Sequence, residues 1–461
     1  MLLTLAQLRD ITGGHLQLAA MPPRHGEMSH VGPIVIDSRC AQPDTVFWGL
    51  KGERFDGSCF AEDALVRGAS GVVIADREVA PWPGRWSLRV DDGLAALWKL
   101  AAWHRSQFSG RMVAVTGSVG KTTARLMIDT VLGSKFSGIT NPKNYNNHIG
   151  LPLSLLQIEH DHEYAAIELG ASSAGEIAKL AGLCRPMIGV ITRIGEAHLA
   201  GFGTQEQLAG AKAELLDALP ADGVAVLNGD DTWLRRIAHR SGARIVWVGR
   251  GSDCDLIAAD VRFSDGRLQF KVRDQEFELP VWGRHHLIAA LCSIAVGLQF
   301  DMTLAEIAAA LAEFQPPDMR CQITEVAGAT LIDDSYNASP SAMRAAFDLL
   351  REVDVPGERV VVCGDMKELG PSSAQWHRRL GQAVVTHCGA DRLIACGEHA
   401  NDVVLAAREA GMAAARATAL RDTQDTIPFV SRSLRPGNAV LVKGSRAMGM
   451  EQITQSFRRA A

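Results

Sequence analysis

The stretch Val113-Ala-Val-Thr-Gly-Ser-Val-Gly-Lys-Thr-Thr123 decides the fold. Residues 112–115 are apolar and rich in valine, the pattern of a buried parallel strand. Residues 116–120 form a tight Gly-rich turn, and residues 121–132 carry Leu126, Ile128, Val131 and Leu132 at helical spacing. Strand, glycine turn and helix in that order is the setting of a phosphate-binding loop. Gly117 and Gly120 let backbone N–H groups face an anion with no Cβ in the way, and the helix N-terminus adds partial positive charge. Ser118, Val119 and Thr123 complete the same cradle. Lys121 is long enough to reach β- and γ-phosphates, and Thr122 offers a hydroxyl to Mg²⁺. The full G-x-x-x-x-G-K-[ST] pattern is not met, because position 115 is Val; the stretch has the shorter T-G-S-x-G-K-T form.

Working outward, 461 residues suggest about three domains. A hydrophobic fraction of 47% with 21% charged residues is that of a globular protein. The net charge of −5 argues against nucleic-acid binding, which needs basic surface. The nine cysteines are scattered and show no C-x-x-C pair, which fits reduced thiols in the cytoplasm. Residues 1–14 lack a basic leader region, and Leu2, Leu5 and Leu8 read as one helix face rather than a signal peptide. The most apolar stretch, residues 287–298, is too short to span a bilayer, so no membrane insertion is expected.

Before the phosphate loop, Ile34-Val-Ile36 and Val72-Val-Ile74 read as strands. The first runs into Asp37-Ser38-Arg39, polar groups at an expected sheet edge, while residues 82–86 read as a loop and 93–108 as a helix. After the phosphate loop, Thr140-Asn-Pro-Lys-Asn-Tyr-Asn-Asn147 and Gly150-Leu-Pro152 read as a polar, ligand-facing loop; Asn144, Asn146 and Asn147 are its candidate contacts. A strand over residues 164–168 ends in Glu168, where a carboxylate beside a phosphate loop holds Mg²⁺. Ser173-x-x-Glu176 reads as a capping box. Residues 187–192 form a strand leading to His198, a candidate catalytic residue. Thr204-x-x-Gln207 caps a helix carrying Lys212, which by spacing alone is a solvated lysine. From Asp255 the period changes to two, with Asp265-Gly266 as a hairpin turn, an antiparallel extension of a parallel sheet. Phe314-Gln-Pro-Pro-Asp318 reads as a hinge. Beyond it, strands near residues 330, 360, 393 and 440 each lead into a polar loop and then a helix, a doubly wound arrangement.

Together these motifs resemble the Mur ligases, over nearly the whole chain, and within them the branch that adds D-alanyl-D-alanine. Asp333-Asp-Ser-Tyr-Asn337 and Gly364-Asp-Met-Lys-Glu-Leu-Gly370, the latter with His377, are the most specific matches, joined by Lys443-Gly-Ser-Arg446. The Asp-Asn-Pro-Arg motif of the diaminopimelate-adding relatives is absent. The resemblance implies an α/β chain of three domains. These would be a small UDP-sugar-binding domain over 1–109, a central P-loop ATPase sheet with an antiparallel extension over 110–318, and a Rossmann-like ligase domain over 319–461. It implies ATP and Mg²⁺ as cofactors, UDP-N-acetylmuramoyl-tripeptide and D-alanyl-D-alanine as substrates, and a monomer in the cytoplasm. The peptide carboxylate would take the γ-phosphoryl group, and the amine would then displace phosphate.

By the same resemblance Lys121, His198 and Lys212 are catalytic, and Arg320, Asp334 and Asn337 join the phosphate loop in contacting the nucleotide. Thr122 and Glu168 would hold one Mg²⁺, and His198 and a carbamylated Lys212 the other. Ser38, Arg39, Lys443 and Ser445 would contact substrate. One segment departs from the family. Where Gly-x-His-Asn-x-x-Asn-Ala is usual, this chain has Gly283-Arg-His-His-Leu-Ile-Ala-Ala290, so His286 and Ala289 replace the two Asn that help hold adenine. Ser339 also replaces a usual Asn. Three other readings remain. A folylpolyglutamate-type ligase is disfavoured by residues 1–109, which such enzymes lack ahead of the phosphate loop. A GTPase switch would need an Asn-Lys-x-Asp motif, and there is none. A non-catalytic nucleotide-binding relative has only His286 and Ala289 in its favour.

Overall fold

The computed structural model describes residues 3–19, 28–52, 55–80, 82–142, 144–196 and 199–458. It contains three α/β sheets, distributed over two compact units: Met1–Ala114 with Phe136–Gly170 and Ala178–Pro186, and Val115–Lys135 with Ala171–Ile177 and Met187–Ala461. No helix among the described residues is long and apolar enough to cross a membrane.

In the first unit, β1 (His15–Leu18), β2 (Ile34–Val35), β3 (Val46–Trp48), β4 (Gly71–Ile74) and β5 (Trp86–Arg89) form a sheet of order β1-β5-β4-β3-β2. β1 runs antiparallel to β5 and the other neighbours are parallel. The edge position expected for the strand before Asp37 is the one β2 occupies. Three strands escape the sequence reading because none is a run of β-branched residues like those of β2 and β4. Trp86, read as the end of a loop, begins β5. Leu5 and Leu8 point from the helix Leu5–Thr12 into a core with Trp48, Leu88, Leu97 and Leu100; Leu2 lies outside the described residues. Each such leucine contributes about 1.5–3 kcal/mol of burial. Trp48 satisfies its indole N–H on the carbonyl of Gly93, 2.8 Å away, at the start of the helix Gly93–Ser106.

This unit also contains the start of β6 (Arg111–Thr116), with β7 (Gly138–Thr140) and β8 (Tyr164–Glu168) in the order β6-β8-β7. The Asn-rich segment is less of a loop than expected. Gly150–Leu155 is a helix, and Leu153, Tyr145 and Ile149 pack against the same core. Trp98 donates to the carbonyl of His148 at 2.8 Å, which ties the segment to Gly93–Ser106. Pro152 is tolerated because it falls in the helix's first turn, where an N–H has no partner to lose.

In the second unit the end of β6 is followed by β9 (Ile188–Ile191), β10 (Val224–Asn228), β11 (Arg244–Gly249), β12 (Leu256–Ser264), β13 (Arg267–Val272) and β14 (Gln275–Leu279), in the order β14-β13-β12-β11-β10-β9-β6. Pairing is parallel from β9 to β12 and antiparallel from there on. Ser264 pairs with Arg267, and Asp265 and Gly266 both have positive φ (51° and 74°), the hairpin turn foreseen from Asp-Gly. The most apolar stretch is the core helix Leu287–Gln299, buried along nearly its whole length. One capping signal is displaced. Ser173 does bond Glu176, but the helix Glu176–Cys184 starts at that glutamate, two residues later than the box implies, after Gly175 at φ 83°.

The last sheet comprises β15 (Gln322–Val326), β16 (Ala329–Asp333), β17 (Arg359–Gly364), β18 (Arg392–Cys396), β19 (Ala417–Leu420) and β20 (Ala439–Lys443), in the order β15-β16-β20-β17-β18-β19. Only β15 is antiparallel. Alternate strand residues feed two separate cores. Val361, Cys363, Leu393 and Leu441 meet one set of helices, and Val360, Val362, Ile394 and Val440 the other. That two-faced burial is the doubly wound arrangement expected beyond the hinge.

Candidate functional site

β6 delivers the chain into the phosphate loop, and the second unit holds that loop from Val115 onward. Gly117 stands at φ 142°, and a Cβ there would collide with Thr192 Oγ1; Gly120, at φ 85°, is the N-cap of the helix Lys121–Gly133. Only glycine fits both positions. The turn is fixed from the next strand. Ser118 N–H donates to the carbonyl of Arg193 (2.7 Å), and Thr192 Oγ1 donates to the carbonyl of Val119 (2.6 Å). Thr192 itself is held by Asn228 Nδ2, 3.1 Å from its carbonyl. Lys121 Nζ reaches back to the carbonyl of Ser118 at 3.3 Å. The hydroxyl of Ser118 is buried and has no hydrogen-bond partner. A buried polar atom without a partner in a glycine cradle at a helix N-terminus fits an incoming phosphate oxygen.

Residues far along the chain come to this loop. Arg320 donates to Thr122 Oγ1 at 3.2 Å and lies over the ring of Tyr336, 4.2 Å from its centroid. Asp334 and Asn337, expected at the nucleotide, are bound by Lys443, expected at the substrate. Lys443 Nζ is 2.6 Å from Asp334 Oδ2 and 2.9 Å from the carbonyl of Asn337. Ser445 accepts the N–H of Lys367 at 2.8 Å and donates its own N–H to the carbonyl of Asp365. His377 is wholly enclosed; its Nε2 accepts from Met366 N–H (2.9 Å) and its Nδ1 lies 2.8 Å from the carbonyl of Ser373. Burial holds its pKa below the ordinary imidazole range.

A cavity of about 280 Å³ opens beside the loop. Val119, Gly120 and Thr123 form one wall, Asn228 and Asp230 another, and His286, Ala289, Arg320, Asp334 and Lys443 the rest. His286 and Ala289, read from the sequence as departures from the resemblance, therefore line the same cavity as the phosphate loop. A second cavity, of about 610 Å³, shares Arg193, Arg284, His285 and Ser341 with it and adds Arg344 and Arg351 together with the acidic Glu196, Asp348 and Glu352, a lining of mixed charge. Thr192, Arg193, Asn228 and Asp230 were not singled out from the sequence. Their only signal there is position, each at or just after the end of a strand in the phosphate-loop sheet.

The remaining candidates divide as follows. Lys212, a solvated lysine by spacing, is 1% exposed, and its Nζ lies 5.4 Å from the centroid of the Phe202 ring. The helix Gln205–Asp217 buries both Ala211 and Ala213 beside it, so small neighbours hide a lysine that charge alone would place outside. His198 lies outside the described residues. In the first unit, Glu168 is 3% exposed and accepts from Asn146 Nδ2 at 2.7 Å. Asn141 clamps the end of β8, accepting Glu168 N–H and donating to the carbonyls of Glu168 and Tyr145. Asn147 Oδ1 accepts the N–H groups of Ile149 and Gly150, so it starts the helix Gly150–Leu155; Asn144 is exposed. Asp37 caps the turn Ser38–Cys40 and pairs with the exposed Arg39 at 2.7 Å, which brings its carboxyl down to about 2; Ser38 is buried.

Comparison with known proteins agrees with this arrangement. The Mur ligase middle domain matches residues 115–297, and the Mur ligase glutamate ligase domain matches residues 319–446. The UDP-N-acetylmuramoyl-tripeptide–D-alanyl-D-alanine ligase of Bacillus subtilis is 33% identical over 435 residues, 94% of either chain. The crystal structure of MurF from Acinetobacter baumannii superposes with a TM-score of 0.88 at 28% identity, over 100% of this chain and 99% of that one. MurF from Thermotoga maritima in complex with ADP gives 0.80 at 28% identity, over 93% and 97%. With family models matched over residues 115–297 and 319–446 and a relative 33% identical over 94% of this chain, the chain belongs to the Mur ligase family.

Proposed function

We propose that the chain is an ATP-dependent amide ligase of the MurF type, joining D-alanyl-D-alanine to UDP-N-acetylmuramoyl-tripeptide in peptidoglycan precursor synthesis. The observation that carries the reading is the reach of Arg320, at the start of the second family segment, onto Thr122 of the phosphate loop. A carboxylate is a poor acyl donor because oxide is a poor leaving group. Phosphoryl transfer from ATP gives an acyl phosphate and ADP; the amine then attacks the acyl carbon, phosphate leaves, and the amine releases a proton.

Within the second unit each part has a task. The backbone N–H groups of residues 117–120 and the helix N-terminus receive the phosphates, and Ser118 gains the partner its hydroxyl lacks. Lys121 exchanges its contact with the Ser118 carbonyl for phosphate oxygens and neutralises charge developing during transfer. Arg320, Asp334 and Asn337 contact the nucleotide, with Lys443 holding the latter two in place.

Mg²⁺, when bound, spreads the charge of the transferring phosphoryl group. The resemblance assigns Thr122 and Glu168 as ligands of one ion, and His198 and Lys212 of another. Lys212 is enclosed rather than on a solvated face, and on this reading its amine takes up CO₂ and releases a proton. The resulting carbamate is a hard oxygen ligand of the kind Mg²⁺ takes. The same proposal keeps the domain limits 1–109, 110–318 and 319–461, with Ser38, Arg39, Asn144, Asn146, Asn147 and Ser445 as substrate contacts. A panel of amines supplied with ATP and UDP-N-acetylmuramoyl-tripeptide tests it, with products read by mass spectrometry. D-alanyl-D-alanine is the expected acceptor; preference for a single amino acid would place the chain in another branch.

A further inference from the structure

Two histidines and a cysteine meet on the wall of the nucleotide cavity. His285 and His286 end a short turn, Arg284–His286, that precedes the core helix Leu287–Gln299, and their ring centroids are 4.1 Å apart. Cys321 arrives from the segment after the hinge, and its sulfur lies 3.6 Å from His285 Nε2. One ligand atom from each of the three lies within 4.8 Å of the other two. With Zn–N near 2.05 Å and Zn–S near 2.3 Å, the N···S edge of a tetrahedral zinc site is about 3.5 Å. The Cys321–His285 pair already has that spacing, and a ligand atom of His286 lies within 4.8 Å of both.

We propose that His285, His286 and Cys321 form a binding site for a thiophilic divalent cation such as Zn²⁺, and that this cation and the nucleotide exclude one another. The fourth position faces the cavity that these residues share with Gly120 and Lys443. His285 is exposed at the cavity, and His286 and Cys321 are buried. Binding would form a metal–sulfur bond and release the Cys321 thiol proton to solvent, which favours metals with strong thiolate affinity over Mg²⁺. By the resemblance, His286 stands where an Asn is usual, so one of the three ligands belongs to this chain's own departure.

The site stands on its own geometry; only the exclusion of nucleotide rests on the functional reading above. Co²⁺ titrated into the chelator-treated full chain should produce a thiolate-to-cobalt charge-transfer band that Zn²⁺ abolishes and Mg²⁺ does not. Cys321→Ser should lose the band, and His286→Asn should weaken Co²⁺ binding more than about tenfold. A Cys40→Ser/Cys59→Ser double variant, lacking the two exposed thiols, should keep it. Absence of the band in the unmodified chain, its survival in Cys321→Ser, or unchanged affinity in His286→Asn would each overturn the site. Zn²⁺ should also weaken ADP binding, and simultaneous saturation by both would overturn the exclusion. ADP affinity measured without metal tests the nucleotide site separately.

Discussion

Replacing Gly117 by alanine should damage the nucleotide site through a collision that the structure makes explicit. The new Cβ would strike Thr192 Oγ1 and lie 3.2 Å from the backbone nitrogens of Thr192 and Arg193. Thr192 has no room to yield cheaply. It is 2% exposed, its hydroxyl is bonded to Val119, and its carbonyl is held by Asn228. Overpacking of this kind costs about 1–3 kcal/mol. A displaced Thr192 hydroxyl loses a hydrogen bond worth about 1 kcal/mol. The strain, about 2–4 kcal/mol, belongs to the phosphate-cradling conformation and is relieved when the loop moves away. Binding must restore that conformation, so the strain reappears as an affinity loss of about 30- to 700-fold at 1.4 kcal/mol per decade. Isothermal titration with ADP measures it. Gly13→Ala is the control, since Gly13 also has positive φ (74°) but no atom lies within 4 Å of the added Cβ. It should leave ADP affinity unchanged. Gly117→Ala binding ADP within about threefold of the parent would refute the reasoning.

Three further outcomes are expected. Lys443→Met leaves the Asp334 carboxylate enclosed without its partner and should lower stability by about 3–5 kcal/mol in urea unfolding, with part regained in Lys443→Met/Asp334→Asn. Lys212→Arg keeps the positive charge but supplies no carboxylate, so ligation should fall to background while ADP binding persists; near-parental turnover would remove the carbamate from the account. His377 is held neutral, with its folded pKa below the ordinary value near 6.5. The unfolded chain therefore takes up the proton first as pH falls. The stability His377 contributes is complete above that value and is lost below it, so urea midpoints should drop between pH 7 and pH 5, less steeply in His377→Asn.

Local patterns were legible in the sequence, and burial was not. The phosphate loop, the Thr204–Gln207 cap and the Asp265–Gly266 turn each depend on a few neighbouring residues, and each stands where its pattern put it. Lys212 shows the limit. Its helix gives no periodic sign of enclosure, and only packing against Phe202 and its neighbours reveals it. Gly150–Leu155 was hidden behind four Asn and a Pro, although its apolar residues complete a core begun at Leu3. β3 was missed because three residues carry no readable period, and β19 because Ala417–Leu420 is as alanine-rich as the helix before it. The pairing of Lys443 with Asp334 joins positions 109 residues apart, a distance no local pattern spans.

Phosphate release with ATP tests the central claim most directly, measured with UDP-N-acetylmuramoyl-tripeptide, with D-alanyl-D-alanine, with both, and with neither, while the amide product is quantified in parallel. The account predicts release only when both are present, one phosphate for each amide formed. Equal release without either substrate, or release with no amide product, would contradict it.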